Sequence, residues 1–417
     1  MTEKTKQLYL TVLVFPLWSL YLSFKEFRIP QAKNLFWLLC IFLGMIHIYS
    51  PEGGTSADGI RYAQRLIDLN QEPISWESFS SSFYDEEGGF LDLYQPTVTY
   101  FLSRVTDNPR WLFLIFAIVF GFFYSRNIWF VLDKLPNTIT FPLFLLTLYY
   151  ILICPIWEIN GVRMWTALHV FVFGALPYIY NSDKSKLIWC FVSALIHFSF
   201  FFPIVILLSF HFVPRKINLL LAFYIISFFV TEIEIEQIRN FLTSNLPTFF
   251  HGRILAYTSE GYAERVIEAN KRLNFYVVLG PRYARWAITI LLVVACTWGK
   301  KIITTGKELF NLMCFTLFMF SIINIMTIIP TIGRFISLAQ MFALASIIFF
   351  YISFKFNNYK QNEISIIFKL VPLMLILPMV VSLRMGCEYY GISLVFPFMA
   401  LIIEDNKPII QFIKQIF

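Results

Sequence analysis

Long, almost uninterrupted apolar runs recur along the whole of this 417-residue chain. Most of them span roughly 17 to 25 residues, the length that an α-helix needs to cross about 30 Å of hydrocarbon. Every backbone polar group of such a segment must be hydrogen-bonded within it, so the runs predict helices. With 58% hydrophobic and only 14% charged residues, the chain is too apolar for one soluble core. We therefore expect an all-α polytopic transmembrane bundle that forms a single membrane-embedded domain over residues 1–417.

Short basic loops separate many of the runs and set their orientation, because Lys and Arg near helix ends are held on the cytoplasmic side. The same rule accounts for the formal net charge of +7 without any nucleic-acid partner. Two polar segments, at about residues 50–110 and 232–274, then lie outside. The predicted order has an external N-terminus, a cytoplasmic C-terminus and eleven spans, namely 8–24, 33–49, 110–132, 139–156, 164–180, 217–231, 275–298, 308–329, 334–354, 364–381 and 391–404.

One further apolar run, from Leu187 to Val213, begins and ends beside basic loops yet is too short for two full spans. Pro203 lies within it and could break it into a re-entrant pair of half-helices. The alternative is one long tilted helix that places Arg215 and Lys216 outside. We predict the re-entrant pair, in addition to the eleven spans.

Signatures of metal and cofactor binding are missing from the sequence. It contains no GxxxxGK[ST] loop, no HExxH, no GxSxG, no DxD pair for sugar nucleotides and no His and Cys cluster at metal spacing. Its six cysteines mostly fall inside apolar runs, where they are interpreted as packing residues without disulfides. We expect neither a metal nor a cofactor.

The stretch "EINGVRMWTAL", Glu158 to Leu168, places charged groups at the external start of a predicted span. Asn160 stands where an N-cap is expected. Arg163 follows at membrane depth, where a guanidinium is costly unless it is paired or faces a polar cavity. Together with the positive end of the helix, Arg163 predicts an anion site. The alternative is a structural ion pair between Glu158 and Arg163.

Further arginines lie at other predicted external helix ends. Arg61 shares a helix face with Asp58, Arg282 and Arg285 follow Gly280 and Pro281 near the start of one span, and Arg334 opens another. Any one of them could simply extend to the membrane surface. Because several oppose the positive-inside bias, we expect them to converge on one external pocket for a lipid diphosphate, whose oxygens match the planar guanidinium.

Three stretches resemble a known family. "SADGIRYAQRL", "NGVRMWTALHVFVFGALPYI" and "CFVSALIHFSFFFPIVIL" are similar, in this order, to motifs of the EpsG-type family of bacterial exopolysaccharide proteins, relatives of the Wzy-class oligosaccharide polymerases. They cover roughly residues 10 to 215. The resemblance implies a bundle similar to C-type glycosyltransferases and a role in joining repeat units carried on undecaprenyl diphosphate at the outer face of the inner membrane.

We therefore predict a metal-independent glycosyltransferase that joins a lipid-linked oligosaccharide donor to a lipid-linked acceptor, with a chain-length regulator as a further partner. Its active site would face the periplasm or the outside. The candidate catalytic residues are Arg163, Asp58, Glu158 and His197, of which the last three compete for the role of proton acceptor. The candidate substrate-binding residues are Arg61, Tyr62, Asn160, Arg253, Arg282, Arg285 and Arg334.

Two other functions compete with this prediction. A translocator would carry the lipid-linked oligosaccharide across the bilayer without chemistry, and it would need a charged path that reaches the cytoplasmic half. The intramembrane arginines cluster instead at the predicted external end. A membrane acyltransferase would need a histidine and an acid that face a channel open to the cytoplasm.

Overall fold

The computed structural model shows a bundle of helices packed side by side. It describes residues 15–49, 57–83, 92–230, 235–245, 251–252, 255, 268, 273–327, 329–356, 362–397 and 407–416. Within these ranges the chain is helical apart from short connections and one isolated bridge between Gly391 and Pro408. The predicted all-α class is confirmed for this part of the chain.

The helices are numbered in chain order. They are α1 (Pro16–Lys25), α2 (Ala32–Met45), α3 (Ala57–Gln71), α4 (Trp76–Ser81), α5 (Tyr94–Ser103), α6 (Pro109–Leu132), α7 (Phe141–Leu152), α8 (Val162–Asn181), α9 (Leu187–Ile196), α10 (Phe201–Ser209), α11 (Ile217–Ile226), α12 (Ile235–Asn245), α13 (Phe275–Thr297), α14 (Lys300–Thr305), α15 (Lys307–Met326), α16 (Phe335–Phe356), α17 (Asn362–Leu370), α18 (Ile376–Tyr389) and α19 (Ile409–Ile416). Short 3₁₀ turns lie between them at Ile156–Gly161, Lys184–Lys186, Phe198–Phe200, Phe210–Phe212, Pro330–Arg334, Val371–Leu375 and Ile392–Leu394.

Six helical stretches of the described chain are long and apolar enough to cross a membrane: Pro109–Leu132, Phe141–Asn181, Phe275–Thr297, Lys307–Met326, Ile332–Lys355 and Asn362–Tyr389. Three shorter apolar helices accompany them, at Ala32–Met45, Phe198–Phe212 and Ile217–Ile226. The polytopic membrane character is therefore supported. The count of eleven spans remains a prediction.

The two ends of the bundle can be told apart by their contacts. We call the end at which α6 and α8 begin the upper end, and the end at which they finish the lower end. Just beyond α6, the Lys134 ammonium lies 5.0 Å from the centre of the Tyr180 ring in the last turn of α8. Lys134 also interacts electrostatically with Glu308 at the start of α15, so α15 rises from the lower end.

The 41-residue stretch Phe141–Asn181 has both of its ends at the lower end. Before α7, the Thr140 hydroxyl lies 3.3 Å from that of Tyr351 in α16. Phe349, close to Tyr351 in the same helix, packs against Tyr180 with ring centres 4.8 Å apart. The chain therefore rises through α7 and the turn at Ile156–Gly161, then descends as α8.

The run 187–213 is broken into two short helices, α9 and α10, as predicted, and their re-entrant position in a membrane stays a prediction. After the break, α10 leads back to Arg215, whose guanidinium donates to the Asn311 side-chain oxygen of α15 at 2.9 Å, near the lower end where α9 began. The predicted position of the break was wrong, because the helix ends at His197 in extended conformation. Pro203 lies in the first turn of α10, where backbone N–H groups have no helical partner and a proline is tolerated.

The predicted last span, 391–404, is also wrong. Gly391 forms a bridge with Pro408, and the Ile409 amide donates to the Tyr390 carbonyl at 2.8 Å. With these residues adjacent, Pro408 lies at the same level of the bundle as Gly391, and residues 398–406 between them lie outside the described residues. The C-terminal helix α19 therefore lies beside the upper end of α18 and not at the opposite end of the bundle.

The predicted external loops are described in part. In the first loop, α5 packs against α3, and α3 also packs on α6 at the upper end. In the second loop, the described residues include the helix α12. The segment "YAERVIEANKRL", apart from Glu268 and Leu273, lies outside the described residues, as does the chain before residue 15.

Candidate functional site

A polar cavity of about 240 Å³ lies at the upper end of the bundle. It is enclosed by α3, the turn at 156–161, the start of α8, the break after α9, the turn at 330–334 and the end of α18. The residues that line it are Asp58, Tyr62, Glu158, Asn160, Gly161, Arg163, Met164, Trp165, His197, Arg334, Met385 and Tyr389. Seven of the eleven residues predicted from the sequence are among them.

Arg163 is held in place by two hydrogen bonds. One terminal nitrogen donates to Asp92 Oδ2 at 3.0 Å, and Nε donates to the Tyr62 hydroxyl at 3.2 Å. Asp92 is only 2% exposed, whereas the Arg163 side chain is 31% exposed. Burial raises the pKa of Tyr62, so its hydroxyl stays neutral as an acceptor. The bonds use two of the five guanidinium donors and leave the group facing the cavity.

Asp92 connects this arginine to the broken helix. Its other oxygen, Oδ1, accepts the Phe198 backbone N–H at 2.9 Å and lies 3.3 Å from His197 Nδ1. Burial alone would raise the pKa of Asp92, but the hydrogen bond and charge of His197, the charge of Arg163 and the Phe198 N–H together lower it below its ordinary value. Asp92 is therefore a buried carboxylate that stabilises the break after α9.

His197 lies where the break in the helix exposes it to the cavity. With Asp92 accepting from Nδ1–H, the Nε2 atom is the ring nitrogen that can take a proton. A carboxylate that fixes the tautomer and orientation of an imidazole in this way is a common feature of general bases. The side chain is 11% exposed, so little bulk water competes for that nitrogen.

The predicted alternative, an ion pair between Glu158 and Arg163, is not formed. Arg163 is paired with Asp92 instead, and Glu158 has no ion pair with any described residue. The expected N-cap is also wrong, since Gly161 holds the N-cap position of α8 and Asn160 belongs to the preceding 3₁₀ turn. The Asn160 amide donates to the Tyr389 hydroxyl at 3.5 Å, which links this turn to the end of α18.

Glycine brings α3 against this turn. A β-carbon at Gly59 would overlap the Asn160 side-chain oxygen, so a larger residue there would have to displace Asn160 from its position. The approach places Asp58 and Tyr62, on either side of Gly59 along the helix, at the cavity.

Arg61 and Arg334 differ in their partners. Arg61 is 68% exposed and forms an ion pair with Asp58, three residues earlier on the same helix. Arg61 does not line the cavity itself, whereas Asp58 does. Arg334, at the end of a 3₁₀ turn, is exposed, lines the cavity directly and has no ion pair with any residue that the structure describes.

The other predicted arginines do not line the cavity. Arg285 donates to Asn324 of α15 at 2.8 Å and lies over the Phe228 ring at 4.9 Å, so it connects helices inside the bundle. Arg282 is exposed one turn earlier in α13. Arg384, another arginine at an upper helix end, pairs with Glu388 at 3.0 Å. Arg253 lies outside the described residues.

Comparisons with known proteins give no assignment. No family model, curated protein or solved structure matches this chain. The resemblance of three stretches to the EpsG-type family therefore remains a prediction. Within the described part of the chain, no group of three His, Cys, Asp or Glu side chains is arranged to hold a metal ion.

Asp92 is the site residue that the sequence did not reveal. It is one of nine acids between Ser50 and Asp92, and it is flanked by Leu91 and Leu93. Asp68 is flanked by apolar residues in the same way, yet it is exposed and bonded to Gln64. Local sequence therefore could not separate them, because burial of Asp92 depends on contacts with residues more than 70 positions away.

Proposed function

We propose that the protein is a polysaccharide polymerase that joins oligosaccharide units carried on a lipid diphosphate. The observation that supports this most is the cavity itself, where Arg163 is fixed by a buried acid while Arg334 faces the same space without an ion pair to any described residue. Phosphate oxygens are the ligands that two convergent guanidinium groups bind best. The EpsG-type resemblance and a fold similar to C-type glycosyltransferases belong to the same proposal.

The charges around the cavity leave room for an anion. Asp58 pairs with Arg61 and Asp92 pairs with Arg163, while Glu158 and Arg334 line the cavity without an ion pair to a described residue. The carboxylates of Asp58 and Asp92 are already paired, so Arg334 and the unused donors of Arg163 remain for a diphosphate. Bound in the cavity, the diphosphate would place the sugar attached to it beside His197.

In the reaction, a hydroxyl oxygen of the acceptor sugar bonds to the anomeric carbon of the donor, and the bond from that carbon to the diphosphate oxygen breaks. The electron pair leaves with the lipid diphosphate, whose charge Arg163 and Arg334 stabilise. The hydroxyl proton moves to His197 Nε2. The imidazolium formed is stabilised by Asp92, which already contacts Nδ1.

His197 suits the role of proton acceptor better than the two other predicted acids. Asp58 is neutralised by Arg61. Glu158 has no ion pair among the described residues, and no described side chain orients its carboxylate as Asp92 orients His197. We assign Glu158 to hydrogen bonding of sugar hydroxyls.

The proposal places the protein in a bacterial cytoplasmic membrane with the cavity at the outer face. Basic residues at the lower end support this orientation, since the positive-inside rule makes that end cytoplasmic. They include Lys134, Lys184, Lys186, Arg215, Lys300, Lys301 and Lys307.

The test is polymer formation by the full chain reconstituted in vesicles with purified lipid-linked repeat units. We expect a ladder of longer products, and a reduction of about 10²-fold or more in its rate for His197→Gln, because the general base is lost. His211→Gln is the matched control, since His211 bonds Tyr178 far from the cavity and its loss should leave the rate unchanged. Movement of lipid-linked units across the vesicle membrane without any ladder would instead identify a translocator.

A further inference from the structure

A second basic site lies away from the cavity, toward the lower end of α6. Arg126 is six residues from the end of this helix, or about 9 Å along its axis. Its guanidinium donates to Asn34 Oδ1 at 2.7 Å and to Ser125 Oγ at 2.8 Å. It lies beside two aromatic rings that contact each other, 4.1 Å from the centre of Phe122 and 4.9 Å from that of Trp37. The side chain is thus rigidly placed and half-buried.

No carboxylate neutralises this arginine. Among the described residues, Arg126 forms no ion pair, and its two hydrogen-bond acceptors are neutral. A guanidinium cannot lose its proton in a protein, so its charge persists. A half-buried charge inside an apolar helix is costly unless an opposite charge lies close by. The missing counter-charge must come from outside the described protein.

A second cation stands near Arg126. The Lys186 ammonium lies 4.5 Å from the centre of the Phe173 ring, and the Phe173 and Phe122 rings are 6.4 Å apart. Trp189 extends the same row of half-buried aromatic side chains, 5.6 Å from Phe173. Lys186 also has no ion pair with a described residue. An aromatic strip therefore runs between two uncompensated cations.

We propose that this surface, formed by Arg126, Lys186, Trp37, Phe122, Phe173 and Trp189, binds one anionic phospholipid. The phosphate lies between the two cations, and an acyl chain packs along the aromatic strip. A lipid fits better than a free anion because the strip between the cations is apolar, and its Phe122 and Phe173 belong to helices that are long and apolar enough to cross a bilayer. Anionic lipids are also attracted to basic groups at this level.

Native mass spectrometry of the detergent-purified full chain tests the site, with dioleoyl-phosphatidylglycerol and dioleoyl-phosphatidylcholine as probes. We expect one tightly held phosphatidylglycerol, and about tenfold weaker binding for either Arg126→Gln or Lys186→Gln, since each removes one charge-assisted contact. Phosphatidylcholine should bind at least about tenfold more weakly than phosphatidylglycerol to the unmodified protein.

Lys184→Gln is the matched control. Lys184 lies two residues before Lys186 in the same turn, is exposed and loses the same charge. Equal weakening by Lys184→Gln would overturn the proposal, because general surface charge would explain the binding. Equal affinity for both lipids, or displacement of phosphatidylglycerol by millimolar inorganic phosphate, would also overturn it. If Arg126→Gln does not fold, Lys186→Gln alone decides the outcome.

Discussion

Two arginines of the upper half of the bundle, Arg163 in α8 and Arg285 in α13, occupy opposite kinds of environment. Arg163 bonds a buried carboxylate and lines a polar cavity. Arg285 bonds the neutral amide of Asn324, lies over the Phe228 ring and has no part in the cavity. In the sequence both are arginines near the external start of an apolar helix.

The difference shows that an arginine at membrane depth can either connect packed helices or take part in a reaction. The side chains that bond it determine which of these two roles it has. A neutral amide and a ring hold Arg285 as a connection between α13 and α15. Asp92 instead fixes Arg163 and also holds His197, so one carboxylate couples a cation to a base. Substitutions that exchange or remove these partners test whether the two arginines have different roles.

The largest effect is expected for Asp92→Asn, which gives Arg163 an amide partner like that of Arg285. His197 would lose its orienting carboxylate, and Arg163 would lose its counter-charge. We expect about 10³-fold slower ladder formation in reconstituted vesicles and about 3 kcal/mol lower stability, because a buried pair is broken. Thermal unfolding in detergent measures the second effect.

Asp68→Asn is the control for that substitution. Asp68 lies in the same external loop, is exposed and bonds only Gln64 among the described residues. Its loss should leave both rate and stability unchanged. If Asp92→Asn keeps full polymerase activity, the contacts of Asp92 with Arg163 and His197 only stabilise the fold, as the contacts of Arg285 do.

Arg163→Lys should have the next largest effect. An ammonium cannot bond Asp92, Tyr62 and a phosphate oxygen with the same planar geometry, and loss of one stabilising donor costs roughly 3 kcal/mol, or about 100-fold in rate. Arg285→Lys should change the rate less than about threefold, since Arg285 does not line the cavity. Ladder formation at matched expression compares the two, and equal losses would end the distinction between these arginines.

A smaller effect is expected at the exposed arginines of the upper end. Arg334→Gln removes a cavity cation with no ion pair in the described structure, and we expect about tenfold slower polymer formation, mainly through weaker binding of the lipid-linked donor. Arg282→Gln removes an equally exposed arginine outside the cavity and should have no effect. Initial rates at several donor concentrations separate binding from turnover. If Arg334→Gln leaves the rate of polymer formation unchanged, the diphosphate does not bind at Arg334.

Much of the fold could be predicted because the length of an apolar run can be read directly from the local sequence. The bounds of α6 and α8 lie within two residues of the predicted spans, and the broken unit 187–213 is present. The position of its break was missed because Pro203 is the obvious helix breaker. Asp92, distant in sequence, instead stabilises the break by accepting the Phe198 amide.

The site was predictable only where its residues share a local pattern. "EINGVRMWTAL" pointed to Arg163 because a charge at a helix start is visible in sequence. The sequence does not show that Asp92 and not Asp68 belongs to the site, nor that Arg285 lies outside the cavity. Both facts depend on which helices pack against each other. The bridge between Gly391 and Pro408 was missed for the same reason, because a contact between residues distant in sequence cannot be inferred from hydropathy.

The smallest expected effect is a pH dependence of stability. The lowered pKa of Asp92 means that the folded protein binds fewer protons there than the unfolded chain does. The stabilisation by Asp92 is therefore fully present above about pH 4, the ordinary range of an aspartate, and is lost as the pH falls through the lowered pKa. One such group contributes at most about 1.4 kcal/mol per pH unit. Thermal unfolding between pH 6 and pH 3 should show a steeper loss for the unmodified protein than for Asp92→Asn, and parallel curves would mean that Asp92 carries no charge-dependent stability in the fold.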